Sequence, residues 1–154
     1  MALPYRGPFL LVFAVSGQLS TLLQSALHDA PLTPDEFAVT SVLRLVGPVR
    51  PGELARQTGL RPTSMSNYLR RFEERGLVLR RPDPADGRAS LVDLTAEGQR
   101  RTEACFPGFS AAIGHFGKAL ADEGTPEADL LAALEATSRA LATALDDVRR
   151  DRDA

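Results

Sequence analysis

The sequence predicts a mainly α chain with one small β-wing, an α+β class, and three observations lead there. Apolar residues recur at helical spacing along most of the 154 residues. Several of these periodic segments open on a capping residue or a turn followed by proline, the usual punctuation of a helix start. Only Leu77 to Leu94 breaks the pattern, with two short apolar runs around a segment rich in proline, aspartate and arginine. Together they predict a winged helix-turn-helix domain flanked by N- and C-terminal helices. Its expected boundaries are residues 1–32 for the N-terminal arm and helix, 33–95 for the winged domain and 96–154 for the C-terminal helices.

In chain order, Met1 to Gly7 contains Pro4, is followed directly by Pro8 and reads as an extended arm. A first helix is expected from Pro8. Leu10, Phe13, Ala14, Gly17, Leu22, Leu23 and Leu27 form an apolar stripe wider than one neighbour requires, so part of it is expected to face a second subunit. His28 falls near the helix end, where a cation complements the dipole; this is a simpler reading than ligand binding by a lone histidine. The apolar run Pro8 to Val15 reads as too short to span a bilayer, and no basic segment with a small-residue cleavage site flanks it. The chain is therefore expected to be soluble, untargeted and cytoplasmic, with no membrane partner.

Thr33-Pro34-Asp35-Glu36 combines an N-cap threonine, a proline at the first helical position and a capping-box glutamate, so a second helix starts there and ends at Gly47-Pro48. Val49-Arg50 can add a third strand to the wing sheet. Pro51 to Thr58 makes a two-turn helix with Leu54 and Ala55 inward and Gly59 as its stop; Gly59 to Pro62 is then the turn of the helix-turn-helix. In the next helix Met65, Tyr68, Leu69 and Phe72 fall at i, i+3, i+4 and i+7, a face that must be buried. The opposite face carries Thr63, Ser66, Asn67, Arg70 and Glu74, with Ser64 and Arg71 on its flanks.

Gly76 closes this helix, and Leu77-Val78-Leu79 opens an extended run that pairs with Ala89 to Leu94. The segment Arg80 to Arg88 between them reads as a loop too long for a two-residue hairpin. Asp86 stands two residues before Arg88 and can pair with it, holding the guanidinium in one orientation. Thr95 is the expected N-cap of a fifth helix, with Glu97 in its first turn. Pro107-Gly108, then Gly114 and Gly117, predict a kink or break near Cys105 to Gly108. Gly124-Thr125-Pro126-Glu127 repeats the cap-and-proline start of a sixth helix, whose Leu130, Leu131, Leu134, Leu141 and Leu145 lead to a charged tail from Arg149.

Short hydroxyls and an amide followed by arginines suit a helix N-terminus entering a major groove, where they reach base edges and phosphates. The candidate DNA-binding residues are therefore Arg61, Thr63, Ser64, Ser66, Asn67, Arg70 and Arg71. Arg88, oriented by Asp86, is the candidate for a narrow minor groove, where the potential is most negative. A formal net charge of −2 looks wrong for such a partner until it is divided by region. Residues 1–60, 61–90 and 91–154 carry 0, +3 and −5, so the acidic last part conceals a basic surface where the motif lies.

The run from Glu53-Leu54-Ala55 through Phe72-Glu73-Glu74-Arg75-Gly76-Leu77-Val78 to Asp86-Gly87-Arg88, then Leu91-Val92-Asp93-Leu94-Thr95-Ala96-Glu97-Gly98, closely resembles the MarR family of bacterial winged helix-turn-helix transcription regulators. The strong part of the likeness covers about residues 50 to 98. The resemblance implies a homodimer that binds double-stranded DNA at a pseudo-palindromic operator, usually as a repressor, and is often released by a small-molecule effector. A two-fold axis would set two such helices about 34 Å apart, one turn of DNA. The excess of apolar residues on the terminal helices is simplest to explain by the same dimer. Pro107 departs from the uninterrupted fifth helix that the family implies, and a kink there can also open a cavity.

Other classes fare worse. The chain has no glycine-rich phosphate loop, no G-x-S-x-G elbow, no H-E-x-x-H and no paired-cysteine metal spacing, so no catalytic residue, metal or cofactor is expected. Its one cysteine, Cys105, excludes an intrachain disulfide, which agrees with a reducing compartment, and reads as a small buried apolar residue in preference to an oxidation sensor. The alternative from another class is a winged helix used as a protein-interaction module without an operator, which would more naturally expose apolar side chains on the fourth helix. No constellation identifies an effector pocket; the scarcity of charge on helices 1, 2 and 5 points to an apolar or aromatic compound.

Overall fold

The computed structural model describes residues 7–153. In order the elements are α1 (Pro8–Ala26), α2 (Pro34–Val46), α3 (Pro51–Thr58), α4 (Pro62–Glu74), β1 (Val78–Asp83), β2 (Asp86–Leu94), α5 (Ala96–Asp122) and α6 (Glu127–Asp153). The fold is mainly α with one two-stranded antiparallel sheet. The chain divides into two compact units, one up to Ala112 and one from Ile113. The expected extended arm lies mostly outside the described residues.

The first unit is built around a core to which almost every element contributes. Leu32, Phe37, Val39, Leu43, Leu54, Met65, Leu69, Phe72, Leu77, Val92 and Cys105 are all buried. Helix α2 starts as its sequence requires: the Thr33 hydroxyl accepts from the Glu36 amide at 3.3 Å, and the Glu36 carboxylate accepts from the Thr33 amide at 3.1 Å. Helix α4 buries Met65, Leu69 and Phe72, while Tyr68 stays half-buried with its hydroxyl donating to Asp35 at 3.1 Å. Its end is a Schellman motif. Gly76 takes φ 65°, the Leu77 amide donates to the Phe72 carbonyl at 2.8 Å and the Gly76 amide donates to the Glu73 carbonyl at 3.0 Å.

Thr95 joins this helix end to the start of α5. Its hydroxyl donates to the Gly76 carbonyl at 2.6 Å and accepts from the Gly98 amide at 3.0 Å, while its own amide donates to the Leu77 carbonyl at 3.0 Å. Gly98 completes the junction, because a β-carbon there would stand 2.0 Å from the Leu77 carbonyl oxygen. The threonine and glycine of the sequence motif thus lock β1, the end of α4 and the start of α5 together.

Three expectations need correction. The wing is not a long loop: β1 and β2 continue through Arg80-Arg81-Pro82, and only Pro84 and Ala85 separate them. Aspartate followed by proline is the signature of the first two positions of a tight turn, and the surplus residues Gly87, Arg88 and Ala89 are taken up where the register shifts after Pro82↔Ser90. Pro82 is tolerated because β1 is the outer strand; the other side of β2 meets Val49 in a single antiparallel bridge, the whole of the expected third strand. Of the kink or break expected near Cys105 to Gly108, the break does not occur: helix α5 runs on through Pro107. Pro107 faces solvent, where water can satisfy the freed carbonyl, and Gly108 turns inward to the end of α1, since a β-carbon there would meet the Ala26 carbonyl oxygen at 2.3 Å. This glycine permits a close approach of two helices and does not end one.

Helix α1 differs from its expectation as well. Its uncharged stretch is not the short run ending at Val15 but the full 19 residues Pro8–Ala26, long and apolar enough to cross a membrane by length and composition alone. Among the described residues none of its side chains is buried, and Phe13 is 75% exposed. His28 lies beyond the helix end, with Nδ1 2.7 Å from Asp29 Oδ1.

In the second unit, Gly124 at φ 71° follows the end of α5, and α6 opens at Glu127, one residue later than expected, so Pro126 occupies the capping position. Ile113, Phe116, Leu120, Leu130, Leu131 and Leu134 line an open, mainly apolar groove of about 400 Å³.

Candidate nucleic-acid interface

The site grows from the two-faced composition of α4. Its apolar face is fixed in the core by Met65, Leu69 and Phe72, which forces the remaining residues outward. Thr63, Ser66, Asn67, Arg70 and Arg71 are exposed, and Ser64 is half-buried on the flank. At the N-terminus Arg61 occupies the capping position with no side-chain capping bond, Pro62 lacks an amide hydrogen and no acidic residue stands in the first turn. The first-turn amides are therefore left for an external acceptor, and the positive end of the helix dipole is not neutralised by a carboxylate.

The arginines fall into two groups. Arg70 lies 3.3 Å from Glu74, Arg80 is paired with Glu73 and hydrogen-bonded to Ser90, and Arg81 is paired with Asp93. Among the described residues, Arg61, Arg71 and Arg88 have no carboxylate at ion-pair distance. Arg71 is nevertheless ordered by stacking on Tyr68, with its guanidinium carbon 4.7 Å from the ring centroid. Burial and the Asp35 carboxylate both raise the Tyr68 phenol above its ordinary pKa, so the hydroxyl remains the donor that anchors this ring.

At the wing, the expected pairing of the Asp86 and Arg88 side chains is not what the geometry shows. The Asp86 carboxylate accepts from the backbone amide of Arg88 at 3.1 Å, and its other oxygen lies 3.7 Å from Arg50. A two-residue separation on a bulged strand suits a carboxylate-to-backbone turn better than a side-chain pair, and it leaves the Arg88 guanidinium exposed. Sequence reasoning missed Arg50 and Asp83. Arg50 Nε donates to Asp83 Oδ2 at 2.7 Å, and Asp83 Oδ1 accepts from the Ala85 amide at 2.9 Å. The backbone bond from Ala85 and then the Arg50 guanidinium hold the Asp83 carboxyl below its ordinary pKa. The turn half of this arrangement was readable from Asp83-Pro84; the Arg50 half, 33 residues away, was not.

Nothing in this arrangement supplies a nucleophile and base. Cys105 is buried, its thiol donates to the Arg101 carbonyl at 3.3 Å, and burial pushes its pKa up. Among the described residues no cluster of three histidine, cysteine, aspartate or glutamate side chains could hold a metal ion.

These features define a winged helix-turn-helix protein. A family model described as the MarR family matches residues 30–89. The chain is 31% identical over 88 residues to the HTH-type transcriptional repressor NicR of Pseudomonas putida, spanning 57% of this chain and 56% of NicR. It is 32% identical over 97 residues to the HTH-type transcriptional repressor Rv2887 of Mycobacterium tuberculosis, covering 61% of this chain and 70% of that protein. Among solved structures, a mutant E. coli MarR complexed with operator DNA superimposes with a TM-score of 0.65 at 25% identity, covering 85% of this chain and 90% of the other. The chain belongs to the MarR family of transcriptional regulators.

Proposed function

We propose that this regulator is a cytoplasmic homodimeric repressor that binds a pseudo-palindromic DNA operator and is released by a small apolar or aromatic ligand. Residues 33–95 form the DNA-binding domain of this reading, and residues 1–32 and 96–154 form the dimer layer. The observation that carries it is the uncapped N-terminus of α4, which presents Thr63, Ser66 and Asn67 beside the unpaired Arg61 while its apolar face is buried. Hydroxyls and the amide read base edges, the first-turn amides and arginines take phosphates, and Arg88 on the wing enters the flanking minor groove. A protein-docking version would expose apolar side chains on α4, where only Pro62 is both apolar and exposed. The operator complex of E. coli MarR and the repressor names of the relatives support the same reading.

The dimer rests on the apolar side chains left uncovered on α1 and α6, among them Phe9, Phe13, Leu131 and Leu134. A second copy of the chain covers the uncharged α1 in this reading, so the protein is expected in the soluble fraction at twice the chain mass. A protein recovered only with membranes would assign α1 to the bilayer instead.

The decisive experiment is binding of the purified protein to the DNA just upstream of its own coding sequence at two salt concentrations, with mass measured in parallel. The expected result is one dimer per site, salt-sensitive, with preference over random DNA of about a thousandfold or more. In the same assay Arg88→Ala is expected to weaken binding and to lower the salt slope by about one unit. A monomer that ignores DNA at both salts would favour the protein-interaction reading.

A further inference from the structure

The geometry points to Arg50 as the positioning residue of the wing: a single guanidinium bridges the two aspartates that flank the wing turn, and thereby sets where Arg88 is presented. The inference rests on the reading that Arg88 meets DNA.

The base of this clamp is rigid. Val49, immediately before Arg50, exchanges two backbone bonds with Val92, at 3.1 and 2.9 Å. The Arg50 carbonyl accepts the Glu53 and Leu54 amides, both at 3.0 Å, and so opens α3. The backbone of Arg50 is therefore held by β2 on one side and by the helix-turn-helix on the other. From there its side chain reaches Asp83 Oδ2 through Nε at 2.7 Å and Nη2 at 2.6 Å, and approaches Asp86 Oδ2 at 3.7 Å.

Each aspartate then holds an amide of the tip, Asp83 that of Ala85 and Asp86 that of Arg88. The clamp acts where the sheet gives no help. Regular pairing ends at Pro82↔Ser90, and Gly87, Arg88 and Ala89 fall in the irregular stretch beyond it. The Asp83 side chain is only 8% exposed, so one end of the pair is shielded from water, unlike a pair between two exposed side chains. Arginine suits the position because its planar fork spans two carboxylates; a lysine ammonium would carry the charge without the fork.

A direct phosphate contact by Arg50 is the competing account, and a double-mutant cycle separates the two. If Arg50 acts through Arg88, Arg50→Ala and Arg88→Ala each weaken binding to the upstream operator, by roughly tenfold, and the double variant binds no more weakly than either. Arg50→Lys, which would still neutralise a phosphate, remains impaired. Amide exchange at Ala85 and Arg88 in the free protein speeds up in Arg50→Ala. Asp83→Asn, which keeps an acceptor for Ala85 but loses the charge, is expected to give the same non-additivity with Arg88→Ala and serves if Arg50→Ala folds poorly. Additive losses with full rescue by Arg50→Lys would overturn the clamp and make Arg50 a phosphate contact. If Arg88→Ala leaves binding unchanged while changes on α4 abolish it, the wing has no part in DNA binding and the reading beneath this inference fails instead.

Discussion

The winged region and the terminal helices use the same apolar residue types for opposite ends. In α4, Phe72 is completely buried among Leu69, Met65 and other side chains of its own chain. In α1 Phe13 stands largely exposed among the described residues, and in α6 Leu131 is 57% exposed. A core that closes on itself leaves polar surface to offer, above all the outer face of α4 and the wing. Helices that do not bury their apolar stripes offer the stripes themselves. One chain thus carries a surface suited to a charged, hydrogen-bonding partner and another suited to a second apolar surface.

The largest effect should come from breaking this comparison at its two phenylalanines. Phe72→Ala is expected to cost about 3–5 kcal/mol, by lost burial and the cavity left behind. That loss should not depend on protein concentration. Phe13→Ala should cost little in dilute protein and progressively more as concentration rises if, as proposed above, a second copy covers it. Urea unfolding at several concentrations checks both, and equal concentration-independent losses would mean that α1 packs within its own chain.

The glycines of α5 sharpen the same contrast. Gly98→Ala forces a methyl onto the Leu77 carbonyl and is expected to destabilise by about 1–3 kcal/mol or more. Gly114 has open space around it, so Gly114→Ala should stabilise the isolated chain by roughly 0.5–1 kcal/mol. If Gly114→Ala instead dissociates the proposed dimer, the glycine marks a close approach of the partner. Thermal unfolding with sedimentation separates the two outcomes.

Among arginines the comparison is between unpaired and paired. Arg61→Ala and Arg71→Ala are each expected to lower the salt slope of operator binding by about one unit, whereas Arg81→Ala, whose guanidinium is already held by Asp93, should change it less. Equal slopes across the three would remove the distinction.

The smallest effect concerns acid. Asp83 has a depressed pKa in the folded chain, so its contribution is fully present above the ordinary aspartate value of 3.8 and is lost as pH falls through the lower folded value. Wing order, followed through the Ala85 amide resonance, should therefore persist below the pH at which exposed aspartates protonate. Loss of that resonance at the ordinary value would show that Arg50 does not hold the carboxylate in solution.

Much of this architecture was legible because its signals are local. The Thr33-Pro34-Asp35-Glu36 capping box, the Gly59 stop and the spacing of Met65, Leu69 and Phe72 depend on neighbours within a turn or two, and the helices start and end accordingly. The polar face of α4 was legible for the same reason, since fixing one face of a helix fixes the other. The wing was misread because Arg80-Arg81-Pro82 resembles a loop when its strand partner is not considered. Pro107-Gly108 did not end its helix because the cost of a helix-disfavoured pair depends on what lies beside it.

By itself the sequence determined the helices, the caps of most of them, the face of α4 that turns outward and the charge contrast between the winged region and the C-terminal part. Only the tertiary structure decided that Gly98 and Gly108 are points of close approach, that Asp86 holds the backbone amide of Arg88 in place of its guanidinium, and that Arg50 reaches the wing turn. The physical reason is range. Helix periodicity and capping are settled by residues within a few positions of one another, whereas a carbonyl set against a missing β-carbon, or a guanidinium across from two carboxylates, exists only once distant segments have packed.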